Sequence, residues 1–473
     1  MSQRSTLRNV AAVAAVFVLV WGIALFYWRS IYRVPSGQDL LLVGIALPVL
    51  LIASFIGVRK SIALTRTPAP GARAIKATAP TPSIADDDSS TWTLAVLDSS
   101  LSLPAGTTSD EIGALARQQQ VVGLHAELRQ ADQTRIFASN VASVSLDDFD
   151  ESLLPDGTAA NLGDQHRRAL MLAGEALDDL MQRHAVVTLA SHEDAHPDVA
   201  PFELHLLLPE RWKREAPTLA TWLDAHLARE PWSPATTRAR VTTVANPVQA
   251  LAVVDDLNVS LNRDSSPARH IVLACDSWLG EDEMTLLERT DRLYGRNRPD
   301  GHIPGEGACA LLLALRGENA ALPVARVHRM RAAERLSSAD EPEQARDDTT
   351  MHLLDSARTQ TAAPGLEVKA CALVSDASQR TSRRTEITGV AESVWPGSNA
   401  ESRCQHLGLA NGESGAVLAL SAVAIAAAHS LNELQPTFAV SLADPLARAA
   451  VLVSPPWTAP ADAQTEAVTG AAA

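Results

Sequence analysis

The sequence predicts an α/β fold held behind a pair of membrane-spanning segments, and three observations predict it. From Trp92 to Val453, short apolar runs rich in Val, Leu and Ile alternate with segments of helical period, the signature of α/β layers. Two of those runs, His270–Asp276 and Ala308–Leu315, are apolar on both faces, as in strands buried at the centre of a sheet. At the amino end, Asn9–Trp28 and Leu40–Val58 are 20 and 19 residues without a charge, each long enough to cross a hydrocarbon core of about 30 Å.

The amino-terminal segments come first in order. The run 9–28 is too long for a signal peptide, and Phe26-Tyr27-Trp28-Arg29 lacks the small residues of a cleavage site. Tyr27 and Trp28 suit the headgroup interface. Pro48 falls inside the second span, where a kink is tolerated. The only basic residues of the connecting loop are Arg29 and Arg33. Arg4 and Arg8 precede the first span, and Arg59, Lys60, Arg66, Arg73 and Lys76 follow the second. The positive-inside rule therefore places a hairpin at 1–60, its loop outside and the large domain in the cytoplasm. Residues 61–91, rich in Ala, Pro, Thr and Ser and ending near Asp86-Asp87-Asp88, read as a flexible linker.

The domain is expected over 92–457. Trp92–Leu97 reads as a strand and Ser109–Gln119 as a helix capped by Ser109 or Asp110. Val121–Leu128 and Thr134–Phe137 are strands. Gln165–Arg183 is an amphipathic helix, with Leu170, Leu172, Ala173, Leu177 and Leu180 toward one side. Ala185–Ala190 and Phe202–Leu208 read as strands around a polar loop, in which His192 and His196 are loop residues rather than metal ligands. Then come a helix at Thr218–Arg229, a strand at Arg238–Val244, a helix at Pro247–Asn262 opened by its proline, a strand at Ile271–Cys275 and a helix at Asp282–Tyr294. The second half continues the alternation, with strand Arg326–Met330, helix Pro342–Gln360, strand Leu366–Ser375, helix Gln379–Glu392, an Ala-rich helix Glu413–His429, and strands Thr437–Leu442 and Ala449–Val453. The Ala-rich helix keeps little polar face and belongs between layers. The tail 458–473 has little to bury and reads as disordered.

Composition narrows the function. A net charge of −15, from 55 acidic against 40 basic residues, argues against nucleic acid as a partner. The four cysteines, Cys275, Cys309, Cys371 and Cys404, show no CxxC spacing, so neither a zinc site nor a disulfide framework is indicated. The acidic run Asp147–Glu151 lacks the spacing of a calcium loop.

The segment Arg298-Pro299-Asp300-Gly301-His302-Ile303-Pro304-Gly305-Glu306-Gly307-Ala308, running into its apolar strand, resembles the thiolase fold, specifically the beta-ketoacyl synthases. In that family an Arg-Asp-Gly-Phe-x-x-Gly-Glu-Gly-Ala segment enters a strand. The resemblance implies a layered α-β-α-β-α domain with two mixed sheets, dimeric as in its relatives. It also implies a chemistry: a cysteine on a strand-to-helix elbow, two histidines, a lysine and a late Gly-rich loop, acting on acyl thioesters.

Carried over position by position, that chemistry is missing. The elbow segment Val241-Thr242-Thr243-Val244-Ala245-Asn246-Pro247 holds no cysteine. Ala377 stands at the first histidine and Leu409 at the second, with His406 three residues earlier. The lysine position falls near Cys404, and the Gly-rich loop becomes Asp444-Pro445-Leu446-Ala447. The scaffold positions Gly305, Glu306, Gly307, Gly408, Gly412 and Gly415 remain. A fold can outlive its chemistry. The expectation is therefore a catalytically inactive protein without cofactor or metal, anchored by its hairpin in a bacterial inner membrane. There it would serve as scaffold or interaction subunit of an assembly such as a secretion or envelope machine. The alternative is a non-catalytic partner of an acyl-condensing enzyme in lipid or polyketide synthesis.

Overall fold

The computed structural model describes residues 88–118, 122–190, 202–229, 239–315, 323–341, 347–359, 372–397 and 400–456, with side chains described only to 184 in the second of these. The spans at 9–28 and 40–58, almost all of the linker, the loop with His192 and His196, Cys371 and the tail lie outside the described residues.

In chain order the elements are β1 (Thr93–Ser102), α1 (Ser109–Arg117), β2 (Leu124–Arg129), β3 (Arg135–Phe137), α2 (Asp164–Ala190), β4 (Phe202–Pro209), α3 (Ala216–Leu227), β5 (Arg240–Val244), α4 (Pro247–Asp264), β6 (Arg269–Ser277), α5 (Glu281–Arg289) and β7 (Glu306–Ala314). The second half holds β8 (Ala325–His328), β9 (Arg331–Glu334), α6 (Thr349–Thr359), β10 (Ala372–Ser375), α7 (Thr381–Val394), β11 (Cys404–His406), α8 (Leu407–Asn411), α9 (Ala416–Glu433), β12 (Thr437–Ser441) and β13 (Ala447–Ser454).

Eleven strands form one mixed sheet in the order β11-β10-β12-β13-β8-β1-β7-β6-β4-β5, with β9 beside β13, while β2 and β3 form a separate hairpin. The two expected sheets are thus one hydrogen-bonded ladder. β8 joins its halves, pairing with β1 through Thr93–Val96 and with β13 through Val453 and Ser454. The halves still behave as two layers, because α9 packs on β1, β6 and β7 of one and on β10, β12 and β13 of the other.

The period of two along each strand assigns its side chains to cores. On β6, Val272 and Ala274 join the central core with α4 and α9, while Ile271, Leu273 and Cys275 face the outer core beneath α2 and α3. On β12, Ala439 faces the centre, and Phe438 and Val440 face the second outer core beneath α6 and α7. Helix, sheet, helix, sheet, helix is the layered order that the resemblance implies. The central helix α9 is long and apolar enough to cross a membrane, but it is largely buried between the sheet halves.

Several expectations are corrected. Residues 185–190 are helical, the last turns of α2, and not a strand. Continuing a helix already nucleated costs less than starting a strand from six residues. The cap of α1 is Thr108, whose hydroxyl accepts from Glu111 N–H while the Glu111 carboxylate accepts from Thr108 N–H. Thr108→Ala is expected to lower stability by about 1 kcal/mol in a denaturant titration. The strand expected at 326–330 is β8 at 325–328, and a further strand not expected from the sequence, β9 at 331–334, follows it and pairs with β13. α5 stops at Arg289, and the next residues turn, with Asp291 at φ 51°.

Candidate functional site

The parallel strands β10, β11 and β12 end together, and ligands of open α/β sheets gather at such carboxyl ends. Ala377 follows β10, and Leu409 lies on α8 after β11. The structure brings them into one junction: Gly408 N–H donates to Ala377 O at 3.1 Å. Both side chains are buried, and neither can carry a proton.

The retained scaffold positions explain why the junction is tight. Glu413 N–H donates to Ile303 O at 2.8 Å, which lays the 303–307 segment along 411–413. A Cβ on Gly305 would sit 2.2 Å from Asn411 O. Gly412 has φ 65°, and its Cβ would sit 2.7 Å from Pro304 O. Gly408 meets Ala377 O in the same way, and Gly307 and Gly415 also have positive φ.

Glu306 is fully buried and is the anchor of the segment. Arg168 of α2 donates to both of its oxygens at 2.7 and 2.6 Å. Val141 N–H donates to it at 2.8 Å and the Ser277 hydroxyl at 3.1 Å. One carboxylate thereby ties together β7, β6, α2 and the loop after β3.

Glu413 forms the second buried charge centre. Arg380 donates to both its oxygens at 2.9 and 2.8 Å, and the Ser378 hydroxyl donates at 3.2 Å. His302, at the motif's Phe position, places Nδ1 at an ion-pair distance of 3.1 Å without an aligned hydrogen bond. Burial pushes the Glu413 carboxyl up, but His302 and Arg380 outweigh it and hold it at about 2. Burial, opposed by Glu413, keeps the His302 pKa below its ordinary value. With its folded pKa below the unfolded value of about 4.3, Glu413 stabilises the fold above pH ~4.3, and that contribution is lost as pH falls through 2. Glu413→Gln is expected to flatten the acid limb of a stability–pH curve between those values.

The remaining family positions are also occupied by structure. At the elbow between β5 and α4, the Asn246 side chain accepts from Gln249 N–H and the Gln249 side chain accepts from Ala245 N–H. The helix N-terminus that would stabilise a thiolate in the family is closed by its own cap. His406 is buried beside Ser375, with Nδ1 and the hydroxyl 3.0 Å apart across β10 and β11. Burial, with Arg384 adding to it, lowers its pKa to about 4, so it is neutral at physiological pH. The 444–447 loop is a polar turn in which Asp444 accepts from Leu446 and Ala447 N–H, both at 2.7 Å. The thiols of Cys275, Cys309 and Cys404 are buried and pushed up by that burial, Cys309 and Cys404 to about 12. A thiol so shifted is a packing group and not an activated nucleophile.

Two cavities of about 160 and 200 Å³ lie elsewhere, between α1, β11 and the end of α9; Arg117, Gln405, His429 and Glu433 line both, and neither touches Ala377, Leu409 or the elbow. The ion pairs at Glu306 and Glu413 are not legible in the sequence. Their partners lie 138 and 33 residues away, and no local spacing marks them.

Comparison with known protein families finds no match, and no curated protein matches either. Solved structures do. The ketosynthase from module 6 of the bacillaene synthase of Bacillus subtilis 168 is similar over 78% of this chain and 73% of its own, with a TM-score of 0.54 and 13% identity. The ishigamide ketosynthase/chain length factor is similar over 76% of this chain and 99% of its own, with a TM-score of 0.51 and 16% identity. AntDE:AntF, a type II acyl-carrier protein in complex with its ketosynthase, gives 77%, 99%, 0.50 and 10%. That similarity over three quarters of the chain shows the fold alone: the described domain has the thiolase-like fold of the ketosynthases.

Proposed function

We propose that this chain is a non-catalytic ketosynthase-fold subunit that works through its surface, tethered to a bacterial inner membrane by the hairpin at 9–28 and 40–58 with its domain on the cytoplasmic side. One observation carries the reading: Ala377 and Leu409 fill the histidine positions as buried side chains, in a junction whose charges are paired with each other. The capped, cysteine-free elbow supports it. The tether rests on the two uncharged spans and on the basic residues flanking them.

Two partners fit such a subunit. Similarity to ketosynthase/chain length factor structures favours an acyl-condensing enzyme, with this chain as its non-catalytic half. The membrane hairpin favours a scaffold within a membrane assembly, such as secretion or envelope machinery. Purification of the full-length protein from its native membrane in mild detergent separates them. Co-purification of a ketosynthase or an acyl-carrier protein selects the first, and co-purification of envelope-complex subunits selects the second. Release of the protein from membranes by alkaline carbonate would overturn the tether.

A further inference from the structure

The amino ends of the parallel strands β4 and β6, opposite to the end that carries the inherited site, hold a polar cluster that the fold does not need. Glu203 and His205 are two apart on β4, and so share a face with Leu207, which lies in the central core. Glu203 is paired in register with His270 on β6. His205 Nε2 and His270 Nδ1 face each other at 3.0 Å, and Glu203 Oε2 lies 3.9 Å from His270 Nδ1. One donor atom from each residue fits within a sphere of mutual distances below 4.8 Å.

We propose that Glu203, His205 and His270 form a binding site for a divalent first-row transition ion of the zinc class. Two imidazoles and a carboxylate are an established donor set for such ions, and tetrahedral bonds of about 2.0–2.2 Å place donors roughly 3.3–3.6 Å apart. The observed spacings of 3.0 and 3.9 Å bracket that value, so side-chain adjustment brings the donors to it. One proton fits between the two facing nitrogens, and an incoming ion would displace it. Burial keeps both imidazoles neutral, His205 at about 4, which is the ligating form.

The site opens on one side only. Both histidines are buried, while the Glu203 side chain is 32% exposed, which leaves a fourth position for water or an incoming donor. Arg240 of β5 approaches Glu203 at 3.7 Å, and its side chain is 72% exposed, free to swing away as a metal enters. The ion would tie β4 to β6 where the parallel ladder begins.

The test uses the full-length protein, freed of affinity tag and chelator, titrated with Zn²⁺ alone and with Co²⁺ alone. One equivalent per chain is expected, with the visible absorption of tetrahedral cobalt and an unfolding midpoint that rises with metal concentration. His205→Gln and His270→Gln are expected to weaken binding about 100-fold or more. Arg240→Ala leaves the three ligands in place and is expected to tighten binding severalfold, because a competing cation is gone. That second arm decides the matter if a histidine variant fails to fold. Absence of stoichiometric binding, or affinity unchanged by both Arg240→Ala and the histidine substitutions, would overturn the site.

Discussion

Replacing Glu306 by alanine is expected to destabilise the domain by about 3–5 kcal/mol, the range for removing one partner of a buried ion pair. The cost has three sources. The Arg168 guanidinium, whose side chain is only 14% exposed, keeps its charge and loses both acceptor oxygens. Val141 N–H and the Ser277 hydroxyl lose their acceptor in the same step. The loop after β3 and helix α2 then lose their side-chain link to β7. Thermal or denaturant unfolding of the purified protein checks it. The double replacement Glu306→Leu with Arg168→Met is expected to recover part of the loss, since it removes the stranded charge. A Glu306→Ala variant within about 1 kcal/mol of the parent would show that burial of β7 alone sets the junction.

Gly305→Ala is expected to be at least as damaging. Its Cβ would lie 2.2 Å from the Asn411 carbonyl oxygen, and that backbone cannot retreat without breaking the bond from Glu413 N–H to Ile303 O. Overpacking against backbone costs about 1–3 kcal/mol where neighbours can yield, and more where they cannot. Loss of soluble, folded protein, or a fall in the unfolding midpoint comparable to that of Glu306→Ala, is the expected reading. Gly389→Ala serves as a control, because a Cβ there meets no atom within 4 Å. A neutral Gly305→Ala would show that the 303–307 and 411–413 segments are not held together as described.

Much of this architecture was legible in the residues. The apolar runs around Val272 and Leu311 marked strands buried on both faces, and they sit beside each other in the sheet. The little polar face of Glu413–His429 marked a helix between layers, and the structure places that helix at Ala416–Glu433. Short or composite elements were not legible. β11 is three residues, Cys404–His406, in which no period can develop, and its pairing with β10 is decided by tertiary position. β9, the four residues Arg331–Glu334, went unread because Arg-Ala-Ala-Glu shows no strand period and its pairing with β13 is decided by tertiary position.

The candidate site divides in the same way. The reading of Ala377 and Leu409 as replacements of the family's histidines rests on the resemblance and belongs to the proposal. The pairing of Arg380 with Glu413 was not legible, since nothing local links them. Glu203 and His205 lie in the run read only as a strand at Phe202–Leu208. Their meaning required His270 from the neighbouring strand.

The central claim is that this ketosynthase fold carries no condensing chemistry. Its most direct test is incubation of the full-length protein with a panel of acyl thioesters, reading covalent acylation by intact mass together with condensation and hydrolysis products. The account predicts no acylated protein and no turnover above the uncatalysed rate. Acylation or turnover that disappears in His406→Ala would contradict it and place a working site at the carboxyl ends of β10 and β11.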